Sequence, residues 1–401
     1  MDQIFLTASL WFALAVASAL IASFLRLSIA LVEICVGVLA VSVTGFFGLN
    51  DVLAPHSEWI RFLASSGAVL LTFLAGAELD PVAMRSKLRE VNVIGFTSFA
   101  APFAGGAAVA FYGLHWDANA SLLCGIALST TSMAVVYAVL LETGLNKTEF
   151  GKGILGSCFV TDLLSVLALG ILFAPFTFKT WIFIGGSIAA LSFAPAITAW
   201  LTAHYAYRTA AIRTKWILLL LFGLGALALW AESEPVLPAY LTGMMLAGAA
   251  NTDGQWIRRL RTLTVGLLTP FYFLRAGTLV SIQALSAAPF ILIILLLGKV
   301  VSKIFGLYPL VARFRRERDE RWYYTLLMST GLTFGTIASL FGLSHGLVSQ
   351  EQYSLLVAAV IASAVVPTMI ANAWFLPRHL ISAHDREGRR KRALNGLSEE
   401  G

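Results

Sequence analysis

Apolar runs of about 20 residues recur along almost the whole chain. A helix of that length crosses the roughly 30 Å hydrocarbon core of a bilayer. Only 12% of the 401 residues are charged and 58% are apolar, whereas soluble proteins carry about 25% charged residues. Lipid cannot satisfy backbone polar groups, so only helices or closed barrels span membranes, and these runs are too long for barrel strands. The sequence therefore predicts an all-α integral membrane protein.

Thirteen runs can be distinguished, each separated from the next by a polar segment. They cover approximately residues 4–25, 28–49, 60–79, 91–113, 119–141, 153–175, 180–201, 215–231, 236–250, 263–283, 288–312, 322–345 and 352–376. We interpret residues 1–377 as one transmembrane domain that crosses the bilayer about thirteen times. Residues 378–401 are interpreted as a short polar cytoplasmic tail.

The basic residues divide the connecting loops into two alternating sets. One set holds nearly all the loop lysine and arginine, and the other holds only Arg61 and Lys179. Loops rich in lysine and arginine stay on the cytoplasmic side, so we expect the N-terminus outside and the C-terminus in the cytoplasm. This distribution also accounts for the formal charge of +6 without a nucleic-acid partner. A bacterial inner membrane is the expected location of this multi-pass protein.

Hydroxyl-bearing residues interrupt two of the runs in mid-membrane. Residues 129–132 of the fifth run read STTS, and residues 329–331 of the twelfth read STG. The two runs are seven spans apart, and this odd offset gives them opposite orientations. That is the pattern of an inverted repeat in which two discontinuous helices meet at the midplane. The alternative is that these hydroxyls bond back to their own helix or join neighbouring helices.

One acidic residue, Asp162, lies at the centre of a predicted span. Charges inside a membrane are costly and are candidates for function. Desolvation disfavours the ionised carboxyl, so the group can hold either a proton or a cation, and the two states exclude each other. That exclusivity is the chemistry of an antiporter. A structural ion pair with a buried lysine or arginine is the alternative interpretation of Asp162.

Three basic residues are also placed inside predicted spans: Arg275 in the tenth run, and Lys299 and Lys303 in the eleventh. The two lysines are four residues apart and share one helix face. Arg275 has the alternative role of a fixed cation that binds helix C-terminal carbonyls or Glu33. Glu33 and Glu78 lie near cytoplasmic ends of their spans, where we interpret them as structural or funnel residues.

Several segments resemble those of the monovalent cation/proton antiporters, specifically the cation/proton antiporter-2 family. The strongest match is FLAGAELD at residues 73–80, close to the family's FLAGLELD signature. Further matching segments are residues 31–34 with Gly37, residues 127–132 followed by two valines, residues 270–273 with Gly277, and Lys303 followed by Leu307-Tyr308. The resemblance extends through the thirteenth run.

The resemblance implies a core of two crossed broken helices, a separate dimerisation panel and an elevator-like movement. It places the ion-binding aspartate at Asp162. The preceding residue is Thr161, where the family usually has Asp, Asn or Gln. Thr130, Thr131 and Thr161 are expected to contribute ligands or to orient the carboxylate. Lys303, and less strongly Lys299 or Arg275, is expected to compensate the charge of Asp162.

Function is therefore predicted as exchange of sodium or potassium for protons by a homodimer in a lipid bilayer. One central carboxylate predicts electroneutral exchange, and no cofactor is expected beyond the transported ions. The alternatives are a sodium-coupled symporter of a related inverted-repeat fold and a passive cation channel. An enzyme is not expected, because the sequence contains no HExxH motif, and a second deeply placed aspartate for proteolysis is absent.

Overall fold

The computed structural model describes residues 2–25, 29–47, 52–77, 87–173, 177–205, 211–231, 233, 235–252 and 254–380. Regular structure in these ranges is entirely helical, which confirms the predicted all-α class. Glu78 and the tail beyond residue 380 lie outside the described residues.

The helices of the first half of the chain are α1 Asp2–Leu25, α2 Ile29–Phe46, α3 Glu58–Ala77, α4 Leu88–Ala108, α5 Ala118–Ser129, α6 Met133–Glu142, α7 Glu149–Phe173 and α8 Phe178–Tyr205. Those of the second half are α9 Ile212–Trp230, α10 Val236–Thr252, α11 Gly254–Leu263, α12 Thr269–Thr278, α13 Ile282–Ala287, α14 Pro289–Phe314, α15 Arg318–Met328, α16 Thr333–Ser344 and α17 Gln350–Trp374. Short π-helical turns, Val109–Gly113 and Thr264–Leu268, extend α4 and join α11 to α12.

Ten helical segments in the described ranges are long and apolar enough to cross a membrane, and two shorter apolar helices accompany them. The number of about thirteen crossings and the orientation of the termini stay predictions. The tenth run, residues 263–283, was expected to be one helix, and this expectation was too simple. The segment has π-helical geometry at Thr264–Leu268, and α12 ends at Thr278. The Ser281 hydroxyl then accepts from Ala284 N at 3.2 Å and starts α13.

Both predicted breaks are present. Residues 130–132 separate α5 from α6, and residues 329–332 separate α15 from α16. Thr130 has φ −60° and ψ 151°, an extended conformation that ends α5. Leu332, with φ −151° and ψ −73°, immediately precedes α16. Each interrupted run is therefore two half-helices joined by non-helical backbone, as expected for irregular structure that is buried within protein.

Packing divides the helices into two groups. We call α4–α7 and α14–α17 the core, because these helices pack mainly against one another. We call α1–α3 and α8–α12 the panel for the same reason. Glycine permits the closest contacts within the panel: a methyl group on Gly243 of α10 would overlap Phe73 O of α3, and one on Gly277 of α12 would overlap Ile34 O of α2. Small residues are the usual means of close helix packing in membranes.

Candidate functional site

The two breaks of the core lie against each other. Ser132 N donates to Thr330 O at 3.1 Å, and the Thr131 hydroxyl donates to Met328 O at 2.9 Å. These bonds satisfy backbone groups that the interrupted helices leave without intrahelical partners. Residues almost 200 positions apart in the chain thus meet in one buried crossing.

Lysine side chains fill this crossing. Lys303 Nζ donates to Ser98 Oγ at 2.7 Å and to Thr131 Oγ1 at 2.9 Å. Lys299 Nζ donates to Thr130 O at 3.2 Å. Both lysines are 0% exposed. Carbonyl groups at the C-terminal ends of α5 and α15 carry partial negative charge, and these two amino groups donate hydrogen bonds at the point where the half-helices end.

Gly331 explains how Lys299 fits there. A methyl group at residue 331 would overlap Lys299 Nζ and lie within 3.2 Å of Thr130 O. The glycine in the second break therefore leaves space for the ammonium group of Lys299. In the sequence, Gly331 is visible only as a glycine that follows two hydroxyl residues. Its packing against Lys299 explains why a glycine is needed at this position.

Asp162 lies on α7, one helix turn after Cys158, and is 1% exposed. Its Oδ1 is buried without a hydrogen-bond partner. No ion pair within 4.0 Å joins it to a lysine or arginine of the described residues. Lys303 is near enough to interact with Asp162 electrostatically. The carboxyl is thus enclosed, near the Lys303 amino group, and its Oδ1 can accept one further partner.

The predicted threonine ligands have defined bonds in this conformation. The Thr161 hydroxyl donates towards Ser157 O at 2.9 Å and Gly95 O at 3.2 Å, which fastens α7 to α4. The Thr130 hydroxyl donates to Ala127 O at 3.0 Å. Both oxygens keep lone pairs available, but neither threonine donates to Asp162 here. Thr130 and Thr131 lie at the crossing of the broken helices. Thr161 instead helps to hold α7, the helix that carries Asp162, against α4.

Two neighbours of the site were missed by the sequence reasoning. Ser98 of α4 accepts from Lys303, and its only signal was a hydroxyl in the middle of an apolar run. Tyr240 of α10 donates to Phe159 O at 3.1 Å and stacks on the Phe159 ring at 5.4 Å. Tyr240 belongs to the panel and Phe159 precedes Asp162 by three residues, so this contact connects the two helix groups beside the site.

Glu33 and Arg275 lie apart from the crossing. Glu33 is 2% exposed on α2 of the panel, and its Oε2 has no hydrogen-bond partner. Arg275 donates from Nε to Pro55 O at 2.9 Å, and it forms no ion pair with Glu33. Arg275 thus binds a carbonyl of the loop before α3, whereas the alternative partners expected from the sequence are helix C-terminal carbonyls or Glu33.

A cavity of about 340 Å³ opens between the panel and the core at the end of the molecule that carries Arg61. A second, much smaller space lies beside Ser165, one turn beyond Asp162 on α7. Val236 and Ile337 line both spaces. Both spaces therefore lie along the boundary between the two helix groups.

Similarity to known proteins covers most of the chain. A family model described as "Sodium/hydrogen exchanger, transmembrane" matches residues 11–376. The probable Na(+)/H(+) antiporter 3 of Methanocaldococcus jannaschii is 24% identical over 352 residues, 84% of this chain and 88% of that protein. The glutathione-regulated potassium-efflux system protein KefC of Escherichia coli (strain K12) is 25% identical over 351 residues, 82% of this chain.

The chain spans 54% of the length of KefC, about half of that relative. Among solved structures, that of the sodium proton antiporter MjNhaP1 from Methanocaldococcus jannaschii at pH 8 matches with a TM-score of 0.70 and 13% identity. The match covers 94% of this chain and 99% of that one, and it establishes a shared fold. Since the family model matches nearly the whole transmembrane part, the protein belongs to the family of transmembrane sodium/hydrogen exchangers.

Proposed function

We propose that the protein exchanges sodium or potassium for protons by alternating access, and that Asp162 binds the cation and the proton in turn. The observation that carries the proposal is the position of Asp162: it is fully buried beside the crossing of two broken helices, and its Oδ1 has no partner. Names of similar proteins support the cargo, since they refer to Na(+)/H(+) antiport and to potassium efflux.

The chemistry follows from the cost of burying a charge. An isolated carboxylate in a low-dielectric site is strongly unfavourable, and the group either neutralises or acquires a partner. A proton supplies the first solution and a monovalent cation the second. Carboxylate, carbonyl and hydroxyl oxygens suit a small hard cation, and Thr130, Thr131 and Thr161 supply such oxygens within the same region. The proton and the cation therefore exclude each other.

Lys303 is assigned the role of charge compensation. In this conformation its ammonium group binds Ser98 and Thr131, and it lies within electrostatic range of Asp162. An ammonium that turns from these hydroxyls to the carboxylate would compete with the cation. Lys299 donates to the Thr130 carbonyl and is assigned a smaller part in compensating the charge of Asp162. Arg275 and Glu33 are proposed to act outside the exchange step.

Alternating access requires the core to change its position against the panel. The cavity at the Arg61 end and the narrow space beside Ser165 lie on the boundary between the two groups. Movement along this boundary would expose Asp162 to one side and then to the other. We propose in addition that panels of two copies form a homodimer in a bacterial inner membrane, as the resemblance implies.

The test is proton flux in proteoliposomes that contain the purified protein and a pH-sensitive dye. We expect an imposed gradient of sodium or potassium to drive protons in the opposite direction, and lithium serves as a third cation. Asp162→Asn should reduce this flux to that of empty vesicles, because an amide keeps the volume but holds neither a cation nor a titrating proton. Cation conductance without coupled protons would favour the channel. Sodium uptake that needs an organic substrate and releases no proton would favour the symporter.

A further inference from the structure

Arg275 has donor groups that no described residue binds. The residue is 8% exposed, and arginine carries its charge under all ordinary conditions. Its Nε donates to Pro55 O, and no other hydrogen bond or ion pair of the guanidinium involves a described residue. The side chain lines the cavity at the Arg61 end of the molecule. Its terminal nitrogens therefore have no partner among the described residues.

The cavity concentrates positive charge. Arg61 of α3 lines it, forms no ion pair with a described residue, and interacts electrostatically with Arg275. His345 lines the same space and directs Nδ1 to Phe341 O at 3.0 Å, which leaves Nε2 for a second partner. None of the described lining residues is acidic. Arg275 is therefore a buried arginine beside a second arginine, and neither has a carboxylate counter-ion among the described residues.

We propose that this cavity binds a small oxyanion, a carboxylate or a phosphate, between Arg275 and Arg61. Both arginines present planar donor groups of the kind that binds such anions through paired hydrogen bonds. The volume of about 340 Å³ is ample for an ion of this size. The site differs from Asp162 in both position and charge, since it takes an anion at the mouth of the cavity and contains no carboxylate among its described residues.

The location gives such binding a consequence for transport. Val236 and Ile337 are shared with the narrower space that leads towards Ser165. A cation that approaches by this route passes two arginines, and clefts of one charge sign repel ions of that sign. A bound oxyanion neutralises the arginines and removes this repulsion.

The test is the thermal unfolding of the full chain in detergent, measured in N-methylglucamine acetate, phosphate and chloride at equal pH and ionic strength. Binding to the folded state raises the unfolding temperature as the ligand concentration rises. We expect acetate or phosphate to stabilise the wild type more than chloride does. Stabilisation by acetate alone identifies a carboxylate site, and stabilisation by phosphate alone identifies a phosphate site.

Two variants locate the effect. Arg61→Gln, at an exposed residue, should weaken the apparent affinity by about tenfold or more, because a charged hydrogen-bonded contact is lost. Arg275→Lys keeps the charge but loses the paired donors, and it should weaken binding similarly. Arg313→Gln, at the far end of α14, removes the same charge outside the cavity and should leave the response unchanged. If Arg275→Lys does not fold, the result for Arg61→Gln decides.

Three results would overturn the proposal. Equal unfolding temperatures of the wild type in all three salts would mean that the arginines are simply hydrated. An oxyanion effect of the same size in wild type, Arg61→Gln and Arg313→Gln would be a general salt effect. Glu232 and Glu234 lie outside the described residues, in the segment before α10. An oxyanion effect that appears only in Glu232→Gln/Glu234→Gln would identify these carboxylates as the counter-ions.

Discussion

Two buried carboxyl groups of this protein occupy contrasting surroundings. Asp162 of the core is 1% exposed and Glu33 of the panel is 2% exposed, and each has one oxygen without a hydrogen-bond partner. Asp162 lies beside two interrupted helices and within electrostatic range of Lys303. Glu33 lies in the uninterrupted helix α2, packed against α12. Burial alone therefore does not distinguish the proposed transport site, Asp162, from Glu33.

The difference lies in the backbone and in the neighbouring charge. Broken helices offer carbonyls and hydroxyls that can bind an ion, whereas an intact helix has bonded its own carbonyls. The panel is built for close contact, with Gly277 of α12 against Ile34 O of α2. The core holds two lysines at its crossing. On this account the core performs the exchange and the panel supports it.

The largest effect is expected from a matched pair of amide substitutions. Asp162→Asn should lower exchange to the vesicle background, because both the cation and the proton lose their site. Glu33→Gln makes the same chemical change in the panel and should keep exchange within about twofold of the wild type, since a neutral amide suits a low-dielectric site. Proton flux in proteoliposomes measures both. Equal loss in the two variants would contradict the contrast between core and panel.

The next effect separates the two lysines. Lys303→Met removes the hydrogen bonds to Ser98 and Thr131 and should lower the free energy of unfolding by about 1–3 kcal/mol, with exchange reduced strongly. Lys299→Met leaves the Thr130 carbonyl without its donor and should reduce exchange less. Unfolding in detergent and proton flux are measured on the same preparations. The reverse ranking would transfer the compensating role from Lys303 to Lys299.

A smaller effect is expected from crowding the panel. Gly243→Val would force α10 away from Phe73 of α3 and should destabilise the protein by about 1–3 kcal/mol, the usual cost of overpacking. Gly223→Val on α9 is the control, because a Cβ atom added at Gly223 has no neighbouring atom of another helix or side chain within 4 Å. Unfolding temperatures compare the two. If the unfolding temperatures of both variants fell equally, the close contact between α3 and α10 would not contribute specifically to stability.

The smallest effect concerns membrane potential. One titrating carboxyl predicts that one charge enters as one leaves, so an imposed potential should not accelerate exchange. If Lys303 also released a proton in each cycle, the net charge moved would couple to the potential by about 2.3 kcal/mol per elementary charge per 100 mV. Exchange is measured with and without a potassium-ionophore potential, corrected for leak. Strong acceleration would show that Lys303 titrates.

The sequence predicts the elements of this fold better than their contacts. Uninterrupted apolar runs predict the long helices, and the two hydroxyl-rich interruptions predict the broken ones, because both signals are local. The position of Asp162 in mid-span is also visible in the sequence. The Lys303–Thr131 bond joins residues 172 positions apart, and the Arg275–Pro55 bond joins residues 220 apart. Such partners depend on which helix faces meet, and one sequence does not specify that.

Ser98 and Tyr240 illustrate the same limit within the site. A serine in an apolar run more often bonds back to its own helix, so nothing local marked Ser98 as a partner of Lys303. Tyr240 stands in a short apolar run, and its contact with Phe159 joins the panel to the core. Both residues acquire their roles only when helices distant in sequence pack together.

The central claim is that one carboxyl, Asp162, holds either a cation or a proton. Proton release on cation addition tests it most directly, in weakly buffered detergent solutions of wild type, Asp162→Asn and Glu33→Gln. A ligand group that must deprotonate to bind a cation releases its proton, so the account predicts about one proton per bound cation in wild type and in Glu33→Gln. It predicts no release from Asp162→Asn. Undiminished release from Asp162→Asn, or cation binding by the wild type without release, would contradict it.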